Sequence, residues 1–278
     1  MESKDLFGNA FPKEKTLERK VEQSRKLIKS IINSKDKEFV KKLILGFSGG
    51  KDSCVVYDLV MDVDNSIPCY YANTTIDPLG TLPYIKNNFP NVEILYPKES
   101  FFQLVKRKGL PTRLTRFCCV YLKEYVGVGK NMFEGIRSEE SQKRQGRDYI
   151  QCDSRKSYKG GKHIYPIYDW SEKDVWDYIK IRGIKTNPNY IQNGGCMSRI
   201  GCVGCPLAGR NQRLREFEIF PKYLNAAKLA IDKGMKTHPQ WKLSELTKGD
   251  ADLAIQWWLS GETMNDFFKV NNNQQTLF

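Results

Sequence analysis

The 278-residue sequence contains no apolar run approaching the about 18 residues that a membrane-crossing helix needs. A helical membrane span is therefore excluded, and no membrane partner is expected. Its first fifteen residues, MESKDLFGNAFPKEK, carry charges where a signal peptide needs an apolar core, so a cytoplasmic location is expected. Internal repeats are absent, and the one biased tract, NNNQQ near the C-terminus, is too short to support an inference. Acidic residues are the minority charge: 32 Asp and Glu stand against 45 Lys and Arg, a formal net charge of +13. That balance favours polyanionic partners such as nucleotides or nucleic acid, although a lysine-rich soluble surface would account for it as well. Eight cysteines are present. In a reducing compartment any that cluster point to metal binding or reactivity rather than to disulfides.

The chain is long enough for a full core. Thr16 to Ser34 places Leu17, Val21, Leu27, Ile28, Ile31 and Ile32 near helical spacing, with charges between them, and reads as an amphipathic helix. Apolar runs at Leu43–Phe47, Ile67–Tyr71, Val92–Leu95 and, more weakly, Asn131–Gly135 read as strands, with helix-like segments between several of them. This alternation predicts an α/β fold with a parallel sheet of about five strands and helices on both faces. The expected organisation is an N-terminal helical segment (1–37), a central α/β domain (38–210) and a helical C-terminal region (211–278). Residues 139–161 are polar and basic and are expected to form a surface loop. Helices are expected from Arg210 to about Gly234 and around Asp252 to Phe268. The latter would place Trp257 and Trp258 in the core.

At Leu43–Val60, LILGFSGGKDSCVVYDLV, an apolar strand runs into Ser48-Gly49-Gly50-Lys51-Asp52-Ser53 and then into a second apolar-periodic stretch. Glycines at a strand-to-helix junction let backbone N–H groups curl into an anion nest, and the helix dipole adds partial positive charge. Ser48 and Ser53 add hydroxyls, and Lys51 a full charge. The loop is not a Walker A motif, because Leu45 stands where that pattern needs glycine and Asp52 where it needs Ser or Thr. An acid beside a phosphate nest makes sense if Asp52 holds Mg²⁺ against the phosphates. Neither Lys51 nor Asp52 is expected to be needed by the core.

Two cysteine pairs stand out: Cys118-Cys119 in TRFCCVYLK and Cys202/Cys205 in RIGCVGCP, with 82 residues between Cys119 and Cys202. Four thiolates at one centre suit either zinc or an iron–sulfur cluster, and spacing does not choose between them. Buried structural thiols are the alternative. Lys123 and Arg199 are cations that would favour thiolates there. Cys196 is a fifth candidate. Cys54 and Cys69 read as small core residues, and Cys152 has no assignable role. In GIRSEESQKRQGR, Arg137, Arg144 and Arg147 follow a strand end, where open α/β sheets bind ligands, and guanidinium forks suit phosphate or sulfate oxygens. A solvated basic loop is the other reading.

The SGGKDS loop resembles the PP-loop of the N-type ATP pyrophosphatases. With GIRSEESQKR, YPIYDWSEKDVWDYI and NPNYIQNGGCMSRIGCVGCP in order behind it, the stretch from Leu43 to Gly209 resembles the PAPS-reductase-like branch of that superfamily. The resemblance implies an adenine-nucleotide α-hydrolase-like fold. It also implies ATP gripped through its pyrophosphate by Ser48, Gly49, Gly50, Lys51, Asp52 and Ser53, with Mg²⁺ as cofactor. Gly135, Arg137, Arg144 and Asp77 would contact the nucleotide or acceptor, and Lys51, Asp52 and Arg137 would be catalytic. A Cys-Cys pair, a long spacer and a C-x-x-C resemble the [4Fe–4S] site of adenylylsulfate reductases, which implies Cys118, Cys119, Cys202 and Cys205 as ligands. Sulfonucleotide reductases use a cysteine near their C-terminus, and none follows Cys205 here; their PP-loops are also degenerate, whereas this one is intact. The pattern is thus most similar to the ATP-cleaving sulfur-transfer component of DNA phosphorothioation systems, with cluster-bearing RNA-thiolating enzymes related. It implies a nucleic-acid or small-anion acceptor and a sulfur donor such as a cysteine desulfurase, and it admits a homodimer. The alternatives are a sulfonucleotide reductase with a borrowed nucleophile and a catalytically silent nucleotide-binding module within a complex.

Overall fold

A computed structural model of the chain describes residues 16–152 and 160–275. Parts of the expected N-terminal segment and of the 139–161 loop lie outside these residues, as does the N-terminal stretch on which the expectation about location rests. In chain order the elements are α1 (Leu17–Ile32), α2 (Lys37–Lys41), β1 (Leu43–Phe47), α3 (Lys51–Val63), β2 (Cys69–Ala72), α4 (Thr81–Asn88), β3 (Val92–Leu95), α5 (Phe101–Lys108), α6 (Phe117–Leu122), β4 (Asn131–Phe133), β5 (Ile150–Cys152), β6 (Lys162–Ile164), α7 (Glu172–Arg182), α8 (Arg210–Ile219), α9 (Pro221–Thr237), α10 (Lys242–Thr247), α11 (Ala251–Ser260) and α12 (Met264–Gln275). Among the described residues, no helix is long and apolar enough to cross a membrane.

The chain divides into two compact units. The strands of the first unit are ordered β1-β4-β6-β5, and β3 neighbours β2 in the second. The first (residues 1–47, 51–69 and 129–186) holds α1, α2, β1, α3, β4, β5, β6 and α7. Here β1 pairs in parallel with β4, and β4 with β6, with Leu43 opposite Asn131 and Met132 opposite His163. Because β1 and β4 are parallel neighbours, the residues after Phe47 and after Phe133 leave the sheet at the same edge. α1 begins at the Thr16 cap and buries Ile28 and Ile31. The sheet departs from the expected five parallel strands: β5 runs antiparallel to β6, inside the stretch expected to be loop. β5 is mostly exposed and has no apolar alternation, so pairing rather than burial makes it a strand.

The second unit (residues 48–50, 70–128 and 187–278) holds α4, β3, α5, α6 and α8–α12, with most of β2. The helical stretch expected after Arg210 is two helices, broken at Phe220, where Pro221 starts α9 because its ring already holds a helical φ and its missing N–H is not needed there. The C-terminal helix is likewise split at Gly261, which ends α11 with φ +77°. Trp257 and Trp258 are buried, as are Cys54 in the first unit and Cys69 at the start of β2.

Candidate functional site

In the glycine loop, Gly49 takes φ +73°, a conformation open to glycine at little cost. A Cβ there would also lie 3.2 Å from Ile85 Cδ1. Ser48 is exposed, and its Oγ accepts from the Gly50 N–H at 3.4 Å. α3 starts at Lys51, so the loop delivers the chain to a helix N-terminus. Ser53 is buried on the first turn of α3.

The first unit gathers a charged network at this helix start. Lys51 is 7% exposed, and its Nζ lies 3.2 Å from Asp52 Oδ2 and 3.5 Å from Glu172 Oε1. Arg137, which follows β4, is 3% exposed. Its Nε donates to Asp52 Oδ1 at 2.6 Å, and its Nη1 to Glu139 Oε2 at 2.7 Å and to the Trp170 carbonyl at 3.4 Å. Glu139 Oε2 also accepts from the Glu172 N–H at the start of α7. Gly135 permits this approach, since a Cβ there would fall 2.6 Å from the Asp52 backbone carbon. The network revises one expectation. Lys51 is buried and Asp52 neutralises a buried arginine, so the pair is part of the packed structure. Arg144 pairs with Glu140 instead, and Arg147 is joined through its backbone N–H to the Tyr168 hydroxyl.

The second unit gathers the cysteines. Cys118, Cys119, Cys202 and Cys205 line one cavity of about 150 Å³, together with Thr74, Lys123, Arg199 and Glu216, and Cys196 is not among its lining. The C-x-x-C turn is held by α8. Glu216 Oε2 accepts from the Gly204 N–H at 2.7 Å, and Arg213 Nε donates to the Gly204 carbonyl at 3.3 Å. Two side chains three residues apart on one helix therefore take both polar backbone groups of the glycine between the cysteines. Gly204 has φ +67°, and a Cβ would fall 2.0 Å from Phe217 Cζ. Arg213 is buried, stacks 4.9 Å over the Trp258 ring and donates from Nη1 to the Trp258 carbonyl.

The electrostatics favour a thiolate at one end of this wall. The Cys118 thiol donates to Cys119, which lowers the Cys119 pKa, and the Lys123 and Arg116 charges lower it further. The same bond and burial push Cys118 up. Burial raises Cys202 to about 11 against the pull of Lys123. Lys123 is itself raised, chiefly by Cys202 and then by Asp77. Asp77 lies on this side of the chain: it accepts from the Tyr71 hydroxyl at 2.6 Å and the Thr74 N–H at 3.0 Å. Thr74 in turn accepts from the Cys202 thiol at 3.5 Å. Among the described residues, no three His, Cys, Asp or Glu side chains stand close enough to hold a metal ion as placed. As a donor set, four thiols around one cavity nonetheless fit a group that bridges the two pairs.

A strand, an SGGKDS turn and a helix within an α/β fold define a PP-loop nucleotide-binding class. The chain belongs to the PAPS-reductase-like family of that class: the phosphoadenosine phosphosulfate reductase domain matches residues 42–208, more than half of its length. It is 30% identical over 191 residues to an uncharacterized protein of Methanocaldococcus jannaschii, covering 64% of this chain but 45% of that protein, so the chain spans less than half of this relative's length. It is 25% identical to the adenosine 5'-phosphosulfate reductase of Bacillus cereus, covering 64% of this chain and 79% of that enzyme. Among solved structures it is similar to the U34-tRNA thiolase NcsA of Methanococcus maripaludis with its [4Fe-4S] cluster. That likeness has a TM-score of 0.43 and 15% identity, and covers 85% of this chain and 84% of that one.

The residues that sequence reasoning missed are Glu139, Glu172, Thr74, Arg213 and Glu216. Only Arg213 and Glu216 left a trace, as an i, i+3 charge pair just after the C-x-x-C. Because that pattern is common on solvated helix faces, it carried no signal.

Proposed function

We propose that the protein is an ATP pyrophosphatase that adenylates a nucleic-acid acceptor for sulfur transfer and holds a [4Fe–4S] cluster on Cys118, Cys119, Cys202 and Cys205. The observation that carries the reading is that both cysteine pairs, far apart in sequence, line one cavity. The intact SGGKDS loop supports the ATP half.

In this reading an acceptor oxygen attacks the α-phosphorus and the bond to the β-phosphate oxygen breaks, giving an adenylated acceptor and pyrophosphate. The outer sulfur of a persulfide donor such as a cysteine desulfurase then displaces the activated oxygen, which leaves as AMP, and an external thiol reduces the resulting acceptor–S–S–donor disulfide to the thiolated acceptor. Hydrosulfide displaces AMP directly, with no change of oxidation state. The Gly49 and Gly50 N–H groups and Lys51 stabilise charge on the departing pyrophosphate. The triphosphate competes for Lys51 with its two carboxylate partners. Release of Lys51 leaves Asp52 Oδ2 open to a Mg²⁺ ion, which would offset the same charge. Arg137 keeps Asp52 in place from the other oxygen, and a nucleotide or acceptor anion would have to displace Glu139 from its Nη1. Arg144 and Gly135 complete that edge. Asp77 acts with Lys123 beside Cys202. The cluster would supply sulfur ligation.

The test incubates anaerobic protein with ATP, Mg²⁺, sulfide and either total tRNA or genomic DNA. Equal amounts of AMP and pyrophosphate are expected with one of these acceptors, and neither product with Lys51→Ala. Release of ADP and orthophosphate contradicts the reading. A second reading, reduction of an adenylated sulfate, is favoured by the similarity to the Bacillus cereus enzyme. Sulfite and AMP release from adenosine 5'-phosphosulfate, with a dithiol as the two-electron reductant and without ATP, would select it.

A further inference from the structure

From Phe101 to Lys123 the chain carries Lys106, Arg107, Lys108, Arg113, Arg116 and Lys123 and no acidic residue. All six cations are exposed. The same stretch holds Cys118 and Cys119, and its last residues, Leu122 and Lys123, line the cysteine cavity. Arg199 brings a further exposed cation to that cavity.

Apolar and aromatic side chains are interleaved with these cations. Leu114 is 93% exposed, and Val120, Tyr121 and Tyr125 are exposed on and just after α6. The Tyr121 ring is flanked by Arg107 at 5.3 Å and Lys108 at 5.1 Å. Arg107 also donates to Glu99 from Nε at 2.9 Å and from Nη2 at 2.5 Å, which fixes it beside the ring. A surface of this kind meets a polyanion whose repeating charge has flat groups attached. Cations track the phosphates, while exposed rings stack unpaired bases without regard to sequence. An acidic protein partner would match the charge but would leave the exposed rings and Leu114 without a matching flat group.

We propose that the strip Lys106–Lys123, across α5 and α6, docks a single strand of nucleic acid and leads it to the mouth of the cysteine cavity. Lys106, Lys108 and Arg113 contact phosphates, and Tyr121 stacks a base. This rests on the reading of the acceptor as nucleic acid and assigns the surface that receives it.

The experiment measures fluorescence anisotropy of a labelled, mixed-sequence 20-nucleotide RNA and of its DNA counterpart against the full chain, between 50 and 200 mM salt. The wild type is expected to bind with a linear log–log salt dependence. The Lys108→Glu/Arg113→Glu variant should bind at least about tenfold more weakly. Its salt slope should be shallower by about 1.4, or about 0.7 for each lost phosphate contact. Tyr121→Ala should bind about tenfold more weakly with the slope unchanged, as loss of stacking alone implies. Lys180→Glu, a charge reversal on α7 outside the strip, should change affinity far less. The proposal is overturned if the wild type fails to bind at 50 mM salt, if Lys180→Glu weakens binding as much as the strip variant, or if polyglutamate competes as well as unlabelled oligonucleotide. Pyrophosphate release driven by a small-anion acceptor without oligonucleotide binding would remove this proposal and leave ATP cleavage standing. Oligonucleotide bound on the strip with no ATP cleaved would do the reverse.

Discussion

The Arg137 guanidinium donates to the Asp52 carboxylate at 2.6 Å, across 85 residues of chain and with the arginine almost fully buried. Asp52 therefore has a structural duty before any nucleotide arrives. Asp52→Ala should destabilise the protein by about 3–5 kcal/mol, because a buried cation loses its main partner. Asp52→Asn keeps the hydrogen-bonding shape and should cost clearly less. Urea denaturation of both variants checks this. Equal stability of Asp52→Ala and wild type would show that the pair is not structural.

Gly49 should not tolerate a side chain. Gly49→Ala must hold an L-residue at φ +73°, at a cost of about 1–2 kcal/mol, and presses its methyl toward Ile85. We expect a lower Tm and loss of binding of a non-hydrolysable ATP analogue in calorimetry. Unchanged affinity for the analogue would mean that the loop backbone does not contact phosphate.

The α8 clamp on the C-x-x-C turn makes a further prediction. Glu216→Ala leaves the buried Gly204 N–H without its acceptor, a cost of about 1–3 kcal/mol. Iron retention after anaerobic gel filtration should fall with it, whereas Glu218→Ala, on an exposed position of the same helix, should retain iron. Full retention in Glu216→Ala would separate the clamp from the cysteines.

The thiols should differ in reactivity in metal-free protein. Cys119 is lowered by its bond from Cys118 and by nearby cations, so a fraction of it is thiolate at neutral pH, and iodoacetamide should label it first. Cys118 and Cys202 are raised, so their labelling should stay slow at pH 7.5 and increase as pH climbs, for Cys202 toward about 11. Lys123→Ala should slow Cys119 labelling. Peptide mass spectrometry over a pH series reads this order, and labelling of Cys202 ahead of Cys119 would contradict it.

Much of the fold was legible because β1, β3 and most of β2 are apolar runs bounded by turn residues, and because α1 has a cap and a clear helical period. β5 and β6 were not: β5 lies in a polar stretch and exists through pairing, and β6, though His163 and Ile164 are buried, is only three residues long and shows no period. The loop read as a candidate anion site from its residue types alone, but the burial of Lys51 and the Arg137–Asp52 bond depend on β1 and β4 being parallel neighbours. Asp77 shows the same limit. Its place after a strand marked it as a candidate ligand contact, and only the fold reveals Tyr71, Thr74 and Lys123 as its neighbours. The cysteine pairs suggested a shared centre, but spacing could not choose the metal or supply Glu216 and Arg213, whose roles come from tertiary placement.

In the proposed reading, two distant cysteine pairs form one cluster site in a chain with an intact pyrophosphate loop. Counting iron and acid-labile sulfide per chain in anaerobically purified protein tests it most directly, with Cys118→Ser, Cys202→Ser and Cys196→Ser prepared alongside. About four irons per chain are predicted for the wild type, as a cubane on four thiolates implies, with loss in the first two variants and retention in the third. Zinc in place of iron, or iron retained in both Cys118→Ser and Cys202→Ser, would contradict it.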